Sequence, residues 1–270
     1  MKMNQLVVAA GALAVAGVSH AGLVNSYTFN DGTANDSVGS ANGTLMGTAT
    51  VSGGAALLNG GGDGNSYIDL GAGVATAAAN AGTAGAISAE AFVTMNSLAN
   101  WAVIFSFGNS GPELDRDGSN GEYWQLIPQN GAGNGELRST THTGTGNLET
   151  FGDGGLLSTG TELHIVNTLD FGAGTNTLYL NGTQVAQVGI QAGFDPTTYG
   201  ATGDVQNWLG RSQWGDPSLD ASINEFNIYD TALTANEVAA NFAAGPTVPE
   251  PGSLALLGLG GLAILRRRRR

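Results

Sequence analysis

Thr177-Leu178-Tyr179-Leu180-Asn181-Gly182-Thr183-Gln184-Val185-Ala186 reads as a β-hairpin. Apolar, aromatic and β-branched residues flank an Asn-Gly pair, and that pair suits a type I′ turn, whose two central residues both need positive φ. Working outward, short apolar runs separated by Gly, Asn, Asp, Ser and Thr repeat the pattern along the chain. Runs at 23–29, 43–51, 55–58, 67–70, 86–95 and 102–108 read as strands, as do 123–128, 136–140, 164–170, 175–180, 183–188, 207–210 and 221–229. The Ala/Gly-rich stretch 71–85 reads as a loop. The 44 glycines follow no collagen period. The fold class that follows is all-β.

One short helix is signalled near the end of this region. Thr234-Ala235-Asn236-Glu237 is a capping box, and Val238 and Phe242 share a face at i, i+4. Gly245-Pro246 ends the helix and opens a linker. A helix placed after the last strand is expected to cover an edge of the β structure.

The two ends differ from the body. Met1-Lys2 precedes an apolar stretch from Leu6 to Val18, and Ser19-His20-Ala21 supplies small residues at −3 and −1. This is the pattern of a secretory signal peptide, 1–21, with Gly22 the first residue after cleavage; a buried N-terminal helix is the plainer alternative. The other end reads Pro249-Glu250-Pro251, then an apolar run from Ser253 to Leu265, then Arg266, Arg267, Arg268, Arg269 and Arg270. The run reaches roughly 20 Å as a helix, short of the ~30 Å hydrocarbon core. Snorkelling arginines and local thinning close the gap, and the arginines belong on the cytoplasmic side. The arrangement closely resembles the PEP-CTERM sorting signal of Gram-negative bacteria. That resemblance implies an exosortase, a membrane transpeptidase, as processing partner. It implies a transient membrane helix and a cell-envelope or surface destination, with release to the extracellular matrix as the further alternative. A plain tail anchor is the other reading.

Without its ends the chain holds Arg116, Arg138 and Arg211 against 21 acidic residues, a net charge of −18 for 22–248. Such a charge argues against nucleic acid and anionic membrane surfaces as partners. There is no cysteine, so a core of about 225 residues stands without disulfides.

Three segments resemble, in order, a concanavalin A-like jelly roll of the laminin-G-like type. They are Tyr27-Thr28-Phe29-Asn30-Asp31-Gly32 with its continuation through Leu45, the hairpin quoted above, and Ala221 to Asp230 followed by Ala232-Leu233 and Glu237-Val238. The resemblance implies a sandwich of two antiparallel sheets over 22–244, with the linker and sorting signal at 245–270. It also implies a structural calcium near the first and last strands, with Asn30, Asp31, Asn224 and Glu225 as oxygen donors. The family's usual Asp-Glu pair is here Asn224-Glu225, which weakens such a site.

Catalytic signals are sparse. Glu113-Leu114-Asp115-Arg116-Asp117 is similar to the Glu-x-Asp-x-Glu strand of jelly-roll glycosidases, in which alternation puts three carboxylates on one face. Here Asp117 is one methylene shorter than the third acid of that pattern, and Gly-Pro and Gly-Ser-Asn-Gly flank the segment, as in a loop. A calcium loop starting at Asp115 lacks the glycine and the glutamate of an EF-hand, with Asn120 and Leu126 in those places. His142 falls in a Thr/Gly-rich loop and His164 at a strand start. Sugar faces stack on aromatic rings, and Trp214, in the polar loop 210–217, is the exposed candidate; Trp101, Trp124 and Trp208 are assigned to the core. The resulting expectation is a non-enzymatic carbohydrate- or protein-binding domain, with a secreted polysaccharide hydrolase as the alternative.

Overall fold

The structure, a computed structural model, describes residues 22–82, 85–144 and 149–247. The signal peptide, Pro249-Glu250-Pro251, the apolar run and Arg266–Arg270 lie outside the described residues. Among the described residues no helix is long and apolar enough to cross a membrane.

In chain order the strands are β1 (Leu23–Tyr27), β2 (Thr44–Gly47), β3 (Thr50–Ser52), β4 (Ala55–Asn59) and β5 (Ser66–Asp69), then β6 (Ala86–Met95), β7 (Phe105–Gly108), β8 (Glu122–Ile127), β9 (Arg138–Thr143) and β10 (Glu149–Asp153). After them come β11 (Glu162–Asp170), β12 (Thr175–Leu180), β13 (Thr183–Gly189), β14 (Trp208–Leu209) and β15 (Asp220–Tyr229). Helix α1 is Val74–Ala81 and α2 is Ala235–Ala244. An eight-stranded sheet runs β13-β12-β11-β6-β15-β4-β3, with β1 also paired to β15; a seven-stranded sheet runs β10-β9-β8-β7-β14-β5-β2. All pairings are antiparallel.

Strand alternation fixes what each face carries. In β6, Ile87, Ala89, Ala91, Val93 and Met95 enter the core between the sheets, which leaves Ser88, Glu90, Phe92 and Thr94 on the outer face. In the facing sheet Phe105, Phe107, Trp124 and Leu126 point inward. Trp124 is fully buried and meets Phe105 edge-on, ring centroids 4.8 Å apart, while Phe105 reaches Phe226 across the sandwich at 5.8 Å. At the hairpin tip Asn181 and Gly182 both have positive φ, 49° and 76°.

Stretch 71–85 departs from the loop expectation, because α1 occupies its middle. Alanine is the strongest helix former. Asp204 supplies the cap that the local sequence lacks, accepting from the N–H groups of Ala75 and Thr76 at 2.9 and 3.0 Å. Ala75, Ala78 and Ala79 are small enough to sink into the core.

Helix α2 forms with its capping box: Thr234 N–H donates to Glu237 at 2.8 Å, and Glu237 N–H returns to the Thr234 hydroxyl at 3.3 Å. It lies on the outer face of the eight-stranded sheet and reaches its edge strand β13, with Val238 packed against Val166, Tyr179 and Tyr229. Beneath it His164 pairs with Glu90 at 2.7 Å, both almost fully buried, and Asn241 of α2 donates to Glu90 at 2.9 Å. His164 is thus part of a buried hydrogen-bonded pair inside the fold.

Candidate functional site

The outer face of the seven-stranded sheet holds every basic residue of the body. Arg138 on β9 makes a two-pronged pair with Asp153 on β10, at 2.7 and 2.9 Å, and lies over Phe151 at 3.6 Å and Trp101 at 5.8 Å. Arg116 and Arg211 share Asp63 at 2.7 and 3.0 Å and cover Trp208 at 5.1 and 4.7 Å. All three guanidinium groups engage carboxylates and rings of the same face, and Arg116 keeps Nε and Nη1 buried without a hydrogen-bond partner among the described residues. Burial and the neighbouring Arg211 charge hold Arg116 below the usual arginine range, although Asp63 pulls the other way.

Between these clusters is a cleft of about 260 Å³ lined by Trp101, Gln125, Glu149, Trp214 and Asp216. Gln125 sits mid-strand in β8, alternating with the core residues Trp124 and Leu126, and so forms the floor. It is 2% exposed, and its carbonyl accepts weakly from Ser106 at 3.4 Å. Its amide nitrogen has no hydrogen-bond partner among the described residues. Trp214 donates its Nε1–H to the Tyr123 hydroxyl at 2.7 Å, and that hydroxyl donates to Glu149 at 2.6 Å. Tyr123 is stacked on His142 of β9, centroids 4.9 Å apart, so His142 stands in a strand and not in a loop. Asp216 accepts from Ser212 at 2.8 Å; burial lifts its carboxyl to about 6, with Ser212 and Arg116 opposing the rise.

Both tryptophans rest on glycines. A Cβ on Gly118 would strike the Trp214 indole, with Cδ1 at 2.8 Å, and one on Gly131 would strike Trp101, with Cε2 at 2.7 Å. Trp101 also holds a φ of 68°, an unusual backbone for a bulky residue, and this conformation turns its ring toward the sheet face. Gly118 precedes β8 and Gly131 follows it, so the two platforms stand at opposite ends of a strand roughly 20 Å long.

One of the four tryptophans differs from its core assignment: Trp101 is half-buried on the cleft, while Trp208 is buried, at 5% exposure, beneath arginines on the same outer face. Glu113, Asp115 and Asp117 sit on the exposed loop between β7 and β8. Leu114 and Arg116 have positive φ there, so the three carboxylates lack the strand alternation that would align them. Asp117 instead caps a 3₁₀ turn beginning at Gly118, and Arg116 donates to the Trp214 carbonyl. The loop therefore supports the cleft from behind.

The four oxygen donors proposed for calcium have separate tasks. Asp31 is taken by Thr33, and Asn224 donates to Glu162 at 2.8 Å. Asn30 donates to the Thr247 carbonyl at 2.9 Å, and Glu225 accepts from Asn227 and from the Thr247 N–H, so these two grip the chain where it leaves the sandwich. Among the described residues no three His, Cys, Asp or Glu side chains gather as a metal site.

A laminin-G-type family model, described as the concanavalin A-like lectin/glucanases superfamily, matches residues 62–239. The chain belongs to that superfamily. The PEP-CTERM protein-sorting motif matches residues 247–270. This lectin/glucanase-type protein is thus exported and sorted to the cell envelope. Among solved structures it is similar to domain 4 of AbnA, a GH43 extracellular arabinanase from Geobacillus stearothermophilus, in complex with arabinotriose. The two are 26% identical with a TM-score of 0.60, covering 82% of this chain and 98% of that one. The CBM40 of the Ruminococcus gnavus IT-sialidase shares the fold at 18% identity and a TM-score of 0.51, covering 69% of this chain and 95% of the other. The Trypanosoma rangeli sialidase shares it at 17% and 0.57, with 87% of this chain and 35% of the sialidase covered. No curated protein matches the superfamily member in sequence.

Proposed function

We propose that the protein binds an oligosaccharide on the outer face of its seven-stranded sheet and has no catalytic activity of its own. The observation that carries this reading is the pair of half-buried indoles, Trp101 and Trp214, lining one cleft over the Gln125 amide. Ring faces give a sugar its apolar platform, and Gln125, Glu149 and Asp216 supply donors and acceptors for hydroxyls. Similarity to an arabinanase domain in complex with arabinotriose supports a saccharide ligand. In this reading residues 1–21 are removed on export, 22–244 form the binding domain, and the tail 245–270 anchors the chain until an exosortase-type enzyme processes it. The domain then acts at the surface or in the extracellular polymer matrix.

A glycan array probed with the secreted protein tests the proposal. Saturable binding to one glycan class, lost in Trp214→Ala, is the expected result; equal signal from both proteins, or none from either, refutes it. A hydrolase reading draws its support from the two carboxylates of the cleft, Glu149 and Asp216. Sugar release by the wild type and not by Glu149→Gln would establish it instead.

A further inference from the structure

Resting on the carbohydrate reading, the charge of the cleft narrows its ligand. The cleft's ionisable lining is acidic, Glu149 and Asp216, and neither carboxylate is paired with an arginine. Glu149 accepts a single neutral hydrogen bond from Tyr123, and Asp216 accepts one from Ser212. Arg116, whose charge acts on Asp216, holds Asp63, the Trp214 carbonyl and the Trp208 ring through Nη2 and its flat face, while its Nε and Nη1 are buried without a hydrogen-bond partner among the described residues. Arg138 and Arg211 are likewise held by Asp153 and Asp63. Freeing any of them for a ligand would strand a partner carboxylate on a partly buried face. The surrounding body, at net −18 over 22–248, adds a long-range field of the same sign.

We propose that the cleft selects a polysaccharide bearing free amino groups, with a sugar ring stacked on Trp214 or Trp101 and an ammonium group set between Glu149 and Asp216, and that it rejects uronic and sialic acids. An ammonium has three donors and no acceptor, the complement of two carboxylates that each keep unused lone pairs. The Gln125 amide nitrogen, facing the cleft from a side chain only 2% exposed and without a hydrogen-bond partner among the described residues, fits a neighbouring hydroxyl oxygen. Burial holds the Asp216 carboxyl up toward about 6 even against the pull of Ser212 and Arg116, so a further cation beside it is favoured. An anionic sugar would meet two like charges in the cleft lining, Glu149 and Asp216.

The experiment is calorimetric titration of the secreted, processed protein with glucosamine oligomers, with the same oligomers N-acetylated, and with galacturonate oligomers. Glucosamine oligomers are expected to bind about tenfold tighter than the acetylated form, the gain of a charge-assisted over a neutral hydrogen bond. That preference should shrink as salt rises. Galacturonate should not bind measurably. The double variant Glu149→Gln/Asp216→Asn should bind both glucosamine forms alike, with its circular dichroism unchanged. Equal or tighter binding of the acetylated oligomer, binding of galacturonate, or no binding of glucosamine overturns the ligand class. If neutral oligomers bind and Trp214→Ala abolishes that binding, the ligand class alone has failed. If Trp101→Ala/Trp214→Ala binds as well as the wild type, the cleft itself is the wrong site.

Discussion

Gly118→Ala adds one methyl group beneath Trp214 and changes nothing else. The glycine does not use positive φ, so alanine is compatible with its backbone, and the cost falls on the indole. With Cδ1 only 2.8 Å from the new methyl, and two further ring atoms closer still, the ring must move by roughly 1 Å to regain van der Waals contact. Overpacking of this kind costs about 1–3 kcal/mol of stability, a fall in Tm of about 3–10 °C for a domain of this size. The displaced Nε1–H also loses its 2.7 Å bond to Tyr123, a further ~1 kcal/mol. Binding should suffer more than folding, since a displaced aromatic anchor is worth ~2 kcal/mol, or about thirtyfold in affinity. The assay pairs oligosaccharide titration with thermal melts and tryptophan emission. Gly215→Ala serves as control, because a Cβ there meets nothing within 4 Å. Full affinity in Gly118→Ala, with unshifted emission, would refute the claim that the glycine seats the ring.

Other consequences follow from the charged groups. Asp216 has its folded carboxyl raised to about 6 from an ordinary 3.8, so between those values the folded state keeps a proton that the unfolded chain has lost. Stability therefore falls as pH rises through that window. Asp216→Asn should equal the wild type at pH 4 and exceed it by about 1–2 kcal/mol at pH 7, a figure reduced for solvent screening; equal melting curves at both pH values would refute it. Burial pushes Glu90 up, but His164, Tyr229 and Asn227 together hold it below the ordinary carboxyl range. Its contribution is present above that range and is lost as pH falls through the lowered value. Glu90→Gln should flatten the acid limb of the stability profile, and His164→Ala should cost about 1–3 kcal/mol in denaturant melts, because it removes a hydrogen-bond partner of the buried Glu90 carboxyl. Since Asn30 and Glu225 hold Thr247 and the other two donors are bonded elsewhere, excess calcium should move Tm by less than about 1 °C; a larger rise would show a binding site that these side chains rearrange to form.

Much of the sandwich was legible because its signals are local. The 86–95 strand alternates, the Asn181-Gly182 turn has one geometry, and Thr234 and Glu237 cap each other across three residues. Helix α1 was hidden because its cap, Asp204, lies far away in sequence. The short β10 was hidden because Glu149–Asp153 carries little apolar pattern. The site divided the same way. Trp214 stood out as an aromatic residue in a polar loop. Trp101 read as core because β-strand context says only that one face is buried, and here the other face is aromatic too. Gly118 read as part of a loop and Gly131 carried no signal; only the tertiary fold brings an indole against each. The acidic segment at 113–117 carries a catalytic-looking pattern, but Gly111-Pro112 and the positive φ values at Leu114 and Arg116 break the alternation on which that pattern depends.

The central claim is that the cleft lined by Trp101 and Trp214 is the glycan-binding site. Titration of the best glycan from the array into the wild type and into Trp101→Ala/Trp214→Ala, each checked for an intact fold by circular dichroism, tests it most directly. The account predicts a loss of at least about a hundredfold in the double variant, two anchors together being worth ~3 kcal/mol or more. Wild-type affinity in a folded double variant would contradict it and move the binding surface away from this cleft.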